Sequence, residues 1–165
     1  MNADPRVMEH FPATLGHSQS DELIAKIEAG FEERGFGLWA LEIIASGEFV
    51  GFTGLSVPAF EARFTPAVEV GWRLAPSAWG SGYASEAGQE SLRFGFEDLG
   101  LEEIVSFTSA GNARSRAVME RLGMRRDSAD DFDHPQIPEG HPLRRHVLYR
   151  ASVSDLGGSN LPSPR

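Results

Sequence analysis

The sequence predicts an α/β or α+β domain, a mixed sheet with helices packed on it. Three observations point to this class. A run of strands is followed by the order strand, helix, strand, helix, strand, and no internal repeat interrupts it. The segment Val68 to Leu74 alternates like a half-buried strand, then runs through a Pro-Ser corner and a Gly-x-Gly turn straight into a helical segment. A length of 165 residues with 41% hydrophobic composition suits one domain with a real core and is too short for two.

Asn2 to His10 reads as a short helical piece or turn. Ser18 or Ser20 can cap a helix running to about Arg34, with Leu23, Ile24, Ile27 and Phe31 as its apolar stripe and Gly35 as its stop. Leu38 to Ile44 and Phe49 to Val57 read as strands joined through Ser46-Gly47-Glu48, and Pro58 ends the second. In the next strand Val68, Val70, Trp72 and Leu74 share one face, while Glu69, Gly71 and Arg73 share the other. A helix follows from about Gly82 to Leu99, with Ala84, Ala87, Leu92, Phe96 and Leu99 inward.

Gly100 breaks that helix, and Glu103 to Ser109 is a strand. Asn112 caps a helix reaching Leu122, with Ala117, Val118 and Leu122 inward and Gly123 at its end. Asp127 to Gly140 is polar, proline-bearing and too long for a simple turn, which marks a functional loop. Leu143 to Arg150 is the last strand. Ala151 to Arg165 is rich in Ser, Gly and Pro and reads as a disordered tail, so the domain spans residues 1–150.

Composition removes several function classes. A net charge of -9 argues against general nucleic-acid binding and against an anionic membrane surface, and it suits a cationic small molecule or a protein amine. Without cysteine there are no disulfides, thiolate metal sites or cysteine nucleophiles. The chain shows no signal-peptide pattern and no apolar run of membrane-spanning length, so cytoplasmic location is the default expectation.

Chemistry concentrates in Leu74-Ala75-Pro76-Ser77-Ala78-Trp79-Gly80-Ser81-Gly82-Tyr83-Ala84-Ser85-Glu86. A glycine-lined loop at a helix start offers unpaired N–H groups to an anion, and the helix dipole adds to the attraction. The expected anion is a phosphate group of a cofactor. A Gly-x-x-x-x-Gly-Lys loop is absent, and Ser85 stands at the final glycine position of the dinucleotide fingerprint, so a nucleotide-binding enzyme is the weaker reading.

Val68-Glu69-Val70-Gly71-Trp72-Arg73-Leu74 with Trp79-Gly80-Ser81-Gly82-Tyr83-Ala84-Ser85-Glu86 resembles the acetyl-CoA motif of the GNAT N-acetyltransferases. Asn112-Ala113-Arg114-Ser115 with Met119-Glu120-Arg121-Leu122-Gly123-Met124 resembles the family's second motif. The wording is nearest the branch that includes ribosomal-protein-alanine acetyltransferases. The resemblance covers roughly Asn2 to Arg150. It implies a mostly antiparallel sheet flanked by helices and splayed at the acetyl-CoA site.

The resemblance also implies residue roles. Backbone groups of Trp72, Arg73 and Leu74 would pair with the pantetheine arm. The loop of Trp79, Gly80, Ser81, Gly82, Tyr83 and Ala84 would wrap the pyrophosphate. Asn112 would hydrogen-bond the pantetheine region. Ser77 stands where the family often has Gln or Arg, and Arg114 or Arg116 could supply the missing charge. Met119 stands where other branches hold a catalytic tyrosine, and Ser115, one helical turn earlier, can protonate the leaving thiolate. Family members usually begin with a strand ahead of the segment resembling Asn2 to Met8. The first strand is therefore expected to be missing, leaving Leu38 to Ile44 with an open edge. A homodimer is compatible with the family.

The expected function is direct acetyl transfer from acetyl-CoA to a primary amine of a small molecule or a protein N-terminus. The competing reading is a non-catalytic acyl-CoA-binding or regulatory module, motivated by the absent tyrosine and the late start. Neutralising a lysine-like amine at pH 7 costs roughly 4–5 kcal/mol, against about 1–1.5 kcal/mol for an α-amine, so an α-amine demands less of a base. Glu69, on the cofactor strand, is the candidate base through water. Backbone N–H groups near Trp72 to Leu74 could polarise the thioester carbonyl. The cluster Asp130-Asp131-Phe132-Asp133-His134 lacks a spaced metal-ligand pattern and reads as a polar or substrate-facing loop whose acidity suits a cationic acceptor. No metal is expected. His141 and His146 read as structural.

Overall fold

A computed structural model of the chain describes residues 1–156. The helices are α1 (His17–Arg34), α2 (Tyr83–Arg93), α3 (Ala113–Arg121) and α4 (Val153–Leu156). The strands are β1 (Leu38–Ile43), β2 (Glu48–Ser56), β3 (Glu69–Leu74), β4 (Glu103–Ser109), β5 (Arg125–Arg126), β6 (Phe132–Asp133) and β7 (Arg145–Ser152). They form one sheet of order β1-β2-β3-β4-β7-β5, with β6 also paired to β7. Every strand pair is antiparallel except β3 with β4. The mixed, mostly antiparallel architecture expected from the sequence is therefore the one observed. β1 is an edge strand, with β2 its one pairing among the described residues.

Alternation decides which face becomes core. Leu55, Val70 and Ile104 are fully buried on one face, with Val147, Tyr149 and Ala151 beside them. Leu92 from α2 and Val118, Met119 and Leu122 from α3 close over them. Trp39 of β1 meets Phe94 and Phe31 edge-on at 5.2 and 5.5 Å. On the opposite face Glu69, Gly71 and Arg73 point toward the N-terminal turns and the long loops, as the alternation of β3 requires.

Several boundaries differ from the sequence expectation. Helix α1 starts at His17, and Gly16 is its cap: the Gly16 N–H donates to Gln19 Oε1 at 2.9 Å. Ser18 and Ser20 lie inside the helix. Ile24 is 53% exposed and leaves the apolar stripe, because Gly30 and Phe31 turn inward with Leu23 and Ile27. The expected helix to Leu99 ends at Arg93. A π-helical turn, Phe94–Asp98, follows, closed by the Leu99 N–H on the Phe94 carbonyl at 3.1 Å. There Gly95 lies so near Ile104 that a Cβ would sit 2.5 Å from its Cδ1.

The tail also needs correction. Ala151 and Ser152 pair with Ile104 and Glu103, so β7 runs past Arg150 and α4 continues it. The remainder of the expected tail, 157–165, lies outside the described residues. The loop from Asp127 to Gly140 carries a 3₁₀ turn, Ser128–Asp130, and β6 anchors it to β7.

Candidate active site

Strands β3 and β4 touch at one point. Their only registered pair is Glu69 with Val105, supported by the Val105 N–H on the Val68 carbonyl at 2.9 Å. β3 stays paired to β2 from Ser56–Glu69 to Gly51–Leu74, so it is held while β4 moves away. The gap is part of a cleft of about 1190 Å³.

The ladder dictates what β3 shows to this gap. The Ala75 N–H donates to the Val50 carbonyl at 2.8 Å, toward β2. Backbone groups alternate sides along a strand, so those of Leu74 and Trp72 point away from β2, into the gap. The Trp79 indole N–H reaches the Leu74 carbonyl at 2.9 Å from that side. By the same alternation Arg73 turns its backbone groups to β2. The expectation of three successive free positions is corrected to two, Trp72 and Leu74. The Arg73 side chain instead ties down the N-terminal segment. Its Nη1 donates to Asn2 Oδ1 at 3.0 Å, its guanidinium stacks 4.2 Å from the Phe11 ring, and burial lowers its pKa to about 10.

After β3 a 3₁₀ turn, Pro76–Ala78, leads into Trp79 and the glycine loop. Gly80 and Gly82 have φ of 77° and 86°, left-handed values that favour glycine. The space beside both is open, with no atom within 4 Å of where a Cβ would stand. Ser85 and Glu86 donate to the Gly82 carbonyl. Among the described residues the amides of Gly80, Ser81, Gly82, Tyr83 and Ala84 have no hydrogen-bond partner. The buried Ser85 hydroxyl, also in the cleft wall, has none either. A concave nest of donors at the start of α2 fits a diphosphate.

Helix α3 forms the second wall. Arg114 stacks over the Trp79 ring with its guanidinium carbon 4.3 Å from the centroid, which brings a cation to the glycine loop. Arg116 turns away and donates to the Ala110 carbonyl. Asn112 caps the helix: its Oδ1 accepts from the Ser115 N–H at 3.2 Å, and its Nδ2 donates to Thr108 Oγ1 and Ser115 Oγ at 2.9 and 3.2 Å. Both Asn112 and Ser115 line the cleft. Met119, at the family's tyrosine position, is 1% exposed and packs in the core.

Glu69 lies beside the point where β3 and β4 part. Its one hydrogen bond comes from Ser56 Oγ at 3.4 Å, and burial pushes its carboxyl up to about 8. The cleft thus holds Glu69, Trp72, Arg73, Leu74, Trp79, Gly80, Gly82, Tyr83, Ala84, Asn112 and Ser115 in one wall system. Ser81 sits between its two glycines, with its side chain outside that wall.

Sequence reasoning reached the other end only in part: it reads the loop that carries His134 and Ile137 as functional, but reads His146 as structural. His10, Phe107, His134, Ile137 and His146 also line the cleft. His10 Nδ1 meets Ser109 Oγ at 3.2 Å, and His146 Nδ1 meets the Arg144 carbonyl at 3.1 Å. Burial lowers the pKa of both His134 and His146, and the neighbouring His146 adds to the effect on His134. No local signal marks His10, Phe107 or His146 as lining residues. The pairing of Ser109 with His146 across β4 and β7 assembles them. The expectation that the loop carboxylates suit a cationic acceptor is corrected: Asp130 pairs with Arg150, Asp131 with Arg126, and Asp133 with Arg144 and Arg145.

Comparison with known proteins agrees with this geometry. The family model described as acetyltransferase (GNAT) domain matches residues 1–125. The FsC-acetyl coenzyme A-N(2)-transacetylase of Aspergillus fumigatus is 44% identical over 94 residues, which are 54% of this chain and 39% of that protein. The chain therefore spans about two-fifths of the length of that relative. A crystal structure of an acetyltransferase from Agrobacterium tumefaciens superposes with a TM-score of 0.69 at 28% identity, covering 90% of this chain and 79% of the other. The ribosomal-protein-S5-alanine acetyltransferase of Vibrio fischeri shares the fold, with a TM-score of 0.70 at 14% identity over 91% of this chain and 82% of its own. A splayed β3–β4 pair, a nest of bare amides opening α2 and a family match over most of the chain lead to one conclusion: the chain belongs to the GNAT acetyltransferase family.

Proposed function

We propose that the cleft binds acetyl-CoA and transfers the acetyl group directly to a primary amine of a small molecule or a protein N-terminus. One observation carries this reading. Two sets of unengaged backbone donors, Gly80 to Ala84 and the pair Trp72 and Leu74, open into one cleft that also contains Glu69 and Ser115.

Acetyl-CoA, when bound, supplies an activated acetyl thioester. The loop amides and the α2 dipole hold its diphosphate, and Arg114 supplies the charge that Ser77 cannot. The amides of Trp72 and Leu74 hold the arm and polarise the carbonyl. Glu69 takes the proton that the amine must lose, through water. The Ser115 hydroxyl would pass its proton to the departing sulfur and regain one from water, as the carbon–sulfur bond breaks and the amide bond forms.

Calorimetry with acetyl-CoA, followed by thiol release across a panel of amines, tests the proposal. Binding together with release on at least one amine is the expected result. Binding without release on any amine would instead favour a non-catalytic acyl-CoA-binding module.

A further inference from the structure

We propose that the acceptor end of the cleft takes an amine carried on a flat aromatic body, an arylalkylamine, and turns away polyamines. The inference rests on the acetyl-transfer reading and names its substrate class.

Rings make this end of the cleft. Phe107 of β4 and His146 of β7 face it on the same side of the sheet as Glu69, and His134 reaches it from the loop. Their centroids lie close: 6.2 Å for Phe107 to His146, 6.3 Å for Phe107 to His134, and 4.9 Å between the histidines. Phe60 and Phe132 brace Phe107 from behind at 5.6 and 5.7 Å, both near edge-on. A braced ring keeps its orientation and offers a fixed edge or face to another ring. Aromatic pairs prefer such edge-to-face or offset contacts and gain from them beyond simple burial.

Charge excludes the polyamine. Among the described lining residues Glu69 is the only carboxylate; of the lining arginines, Arg6 pairs with Asp4 and Arg114 with Glu9 at the cleft's edge. Asp130, Asp131 and Asp133 of the nearby loop are engaged by arginines. One ammonium can face Glu69, and a second finds no other carboxylate in the lining. Burial lowers the pKa of both histidines, which disfavours positive charge on the aromatic wall.

The test uses the full chain with phenethylamine, n-butylamine and spermidine, read by thiol release from acetyl-CoA. Phenethylamine binding is measured separately by calorimetry in the presence of coenzyme A. The expected kcat/KM for phenethylamine exceeds that for n-butylamine, and spermidine is the poorest of the three. Phe107→Leu keeps apolar volume and loses the ring. It should cut the phenethylamine advantage by about two- to tenfold while leaving acetyl-CoA affinity unchanged, and Phe107→Tyr should restore it. Equal or better use of spermidine or n-butylamine, or an advantage that survives Phe107→Leu, overturns the aromatic subsite while acetyl transfer stands. Phenethylamine binding that Phe107→Leu weakens, without turnover of any amine, supports the subsite and overturns acetyl transfer.

Discussion

The side-chain amide of Asn112 donates to Ser115 Oγ at 3.2 Å, and the Ser115 N–H donates back to Asn112 Oδ1 at the same distance. The hydroxyl oxygen is thus already an acceptor, and its own proton has no acceptor among the described residues. That is the state a proton donor needs. Ser115→Ala should lower kcat by roughly 10²-fold and leave the acetyl-CoA Kd nearly unchanged. Steady-state kinetics and calorimetry check the two halves, and an unaltered kcat removes Ser115 from the chemistry.

Glu69 sets the pH dependence. Its carboxyl, raised to about 8 by burial, is mostly protonated at pH 7 and becomes a base only as pH rises through that value. The kcat/KM should climb through pH 8 with two ionisations, that of Glu69 and that of the amine. Glu69→Gln should remove the first and leave only the ionisation of the amine substrate. The same shift carries a stability sign. A carboxyl whose folded pKa is raised costs stability as pH rises from its ordinary 4.5 toward about 8. Glu69→Gln should therefore gain stability relative to the parent between pH 5 and pH 9. Denaturant melts at the two values check it, and a constant difference contradicts the burial.

Gly82 tests the anion site. It sits at φ 86° with open space beside it, so a Cβ there meets no atom of the protein but stands where an anion would approach the amides. Gly82→Val should raise the acetyl-CoA Kd by about tenfold or more, through both the left-handed strain and the blocked approach. Gly100→Ala, at φ 66° and outside the cleft wall, is the control. It should lose stability and keep affinity. Equal affinity in the two variants would detach the glycine loop from cofactor binding.

Leu55 reports on the core that holds β3 in place. It is fully buried, sits opposite Val70 across β2 and β3, and lies near Gly95 in the π turn. Leu55→Ala should cost about 2–5 kcal/mol, depending on how far the site collapses, and the denaturation midpoint should fall accordingly. A loss well below that range would mean the helix layer packs loosely over the sheet.

Much of the fold was legible because its signals are local. The alternation of Val70, Trp72 and Leu74 against Glu69, Gly71 and Arg73 follows from strand geometry alone. The Asn112 cap needs only a side-chain oxygen three residues ahead of an N–H. The glycine loop was legible for the same reason: left-handed corners at a helix start call for glycine. Ser18 and Ser20 misled because Gly16 and Gln19 satisfy the first turn of α1 together. The end of α2 was misread because Gly95 answers to Ile104, a contact from another strand.

The sequence by itself determined a nest of amides, the strand leading into it and a candidate carboxylate on that strand, since each depends on neighbours a few residues apart. Tertiary structure decided that β4 leaves β3 after Glu69 and Val105, and that only Trp72 and Leu74 face the gap. It also decided that Phe107, His134 and His146 meet at the cleft's far end while the loop carboxylates close onto arginines. These outcomes depend on which strands pair and in what register. Pairing is a contest between distant segments for burial and hydrogen bonds, and no local stretch of chain encodes its result.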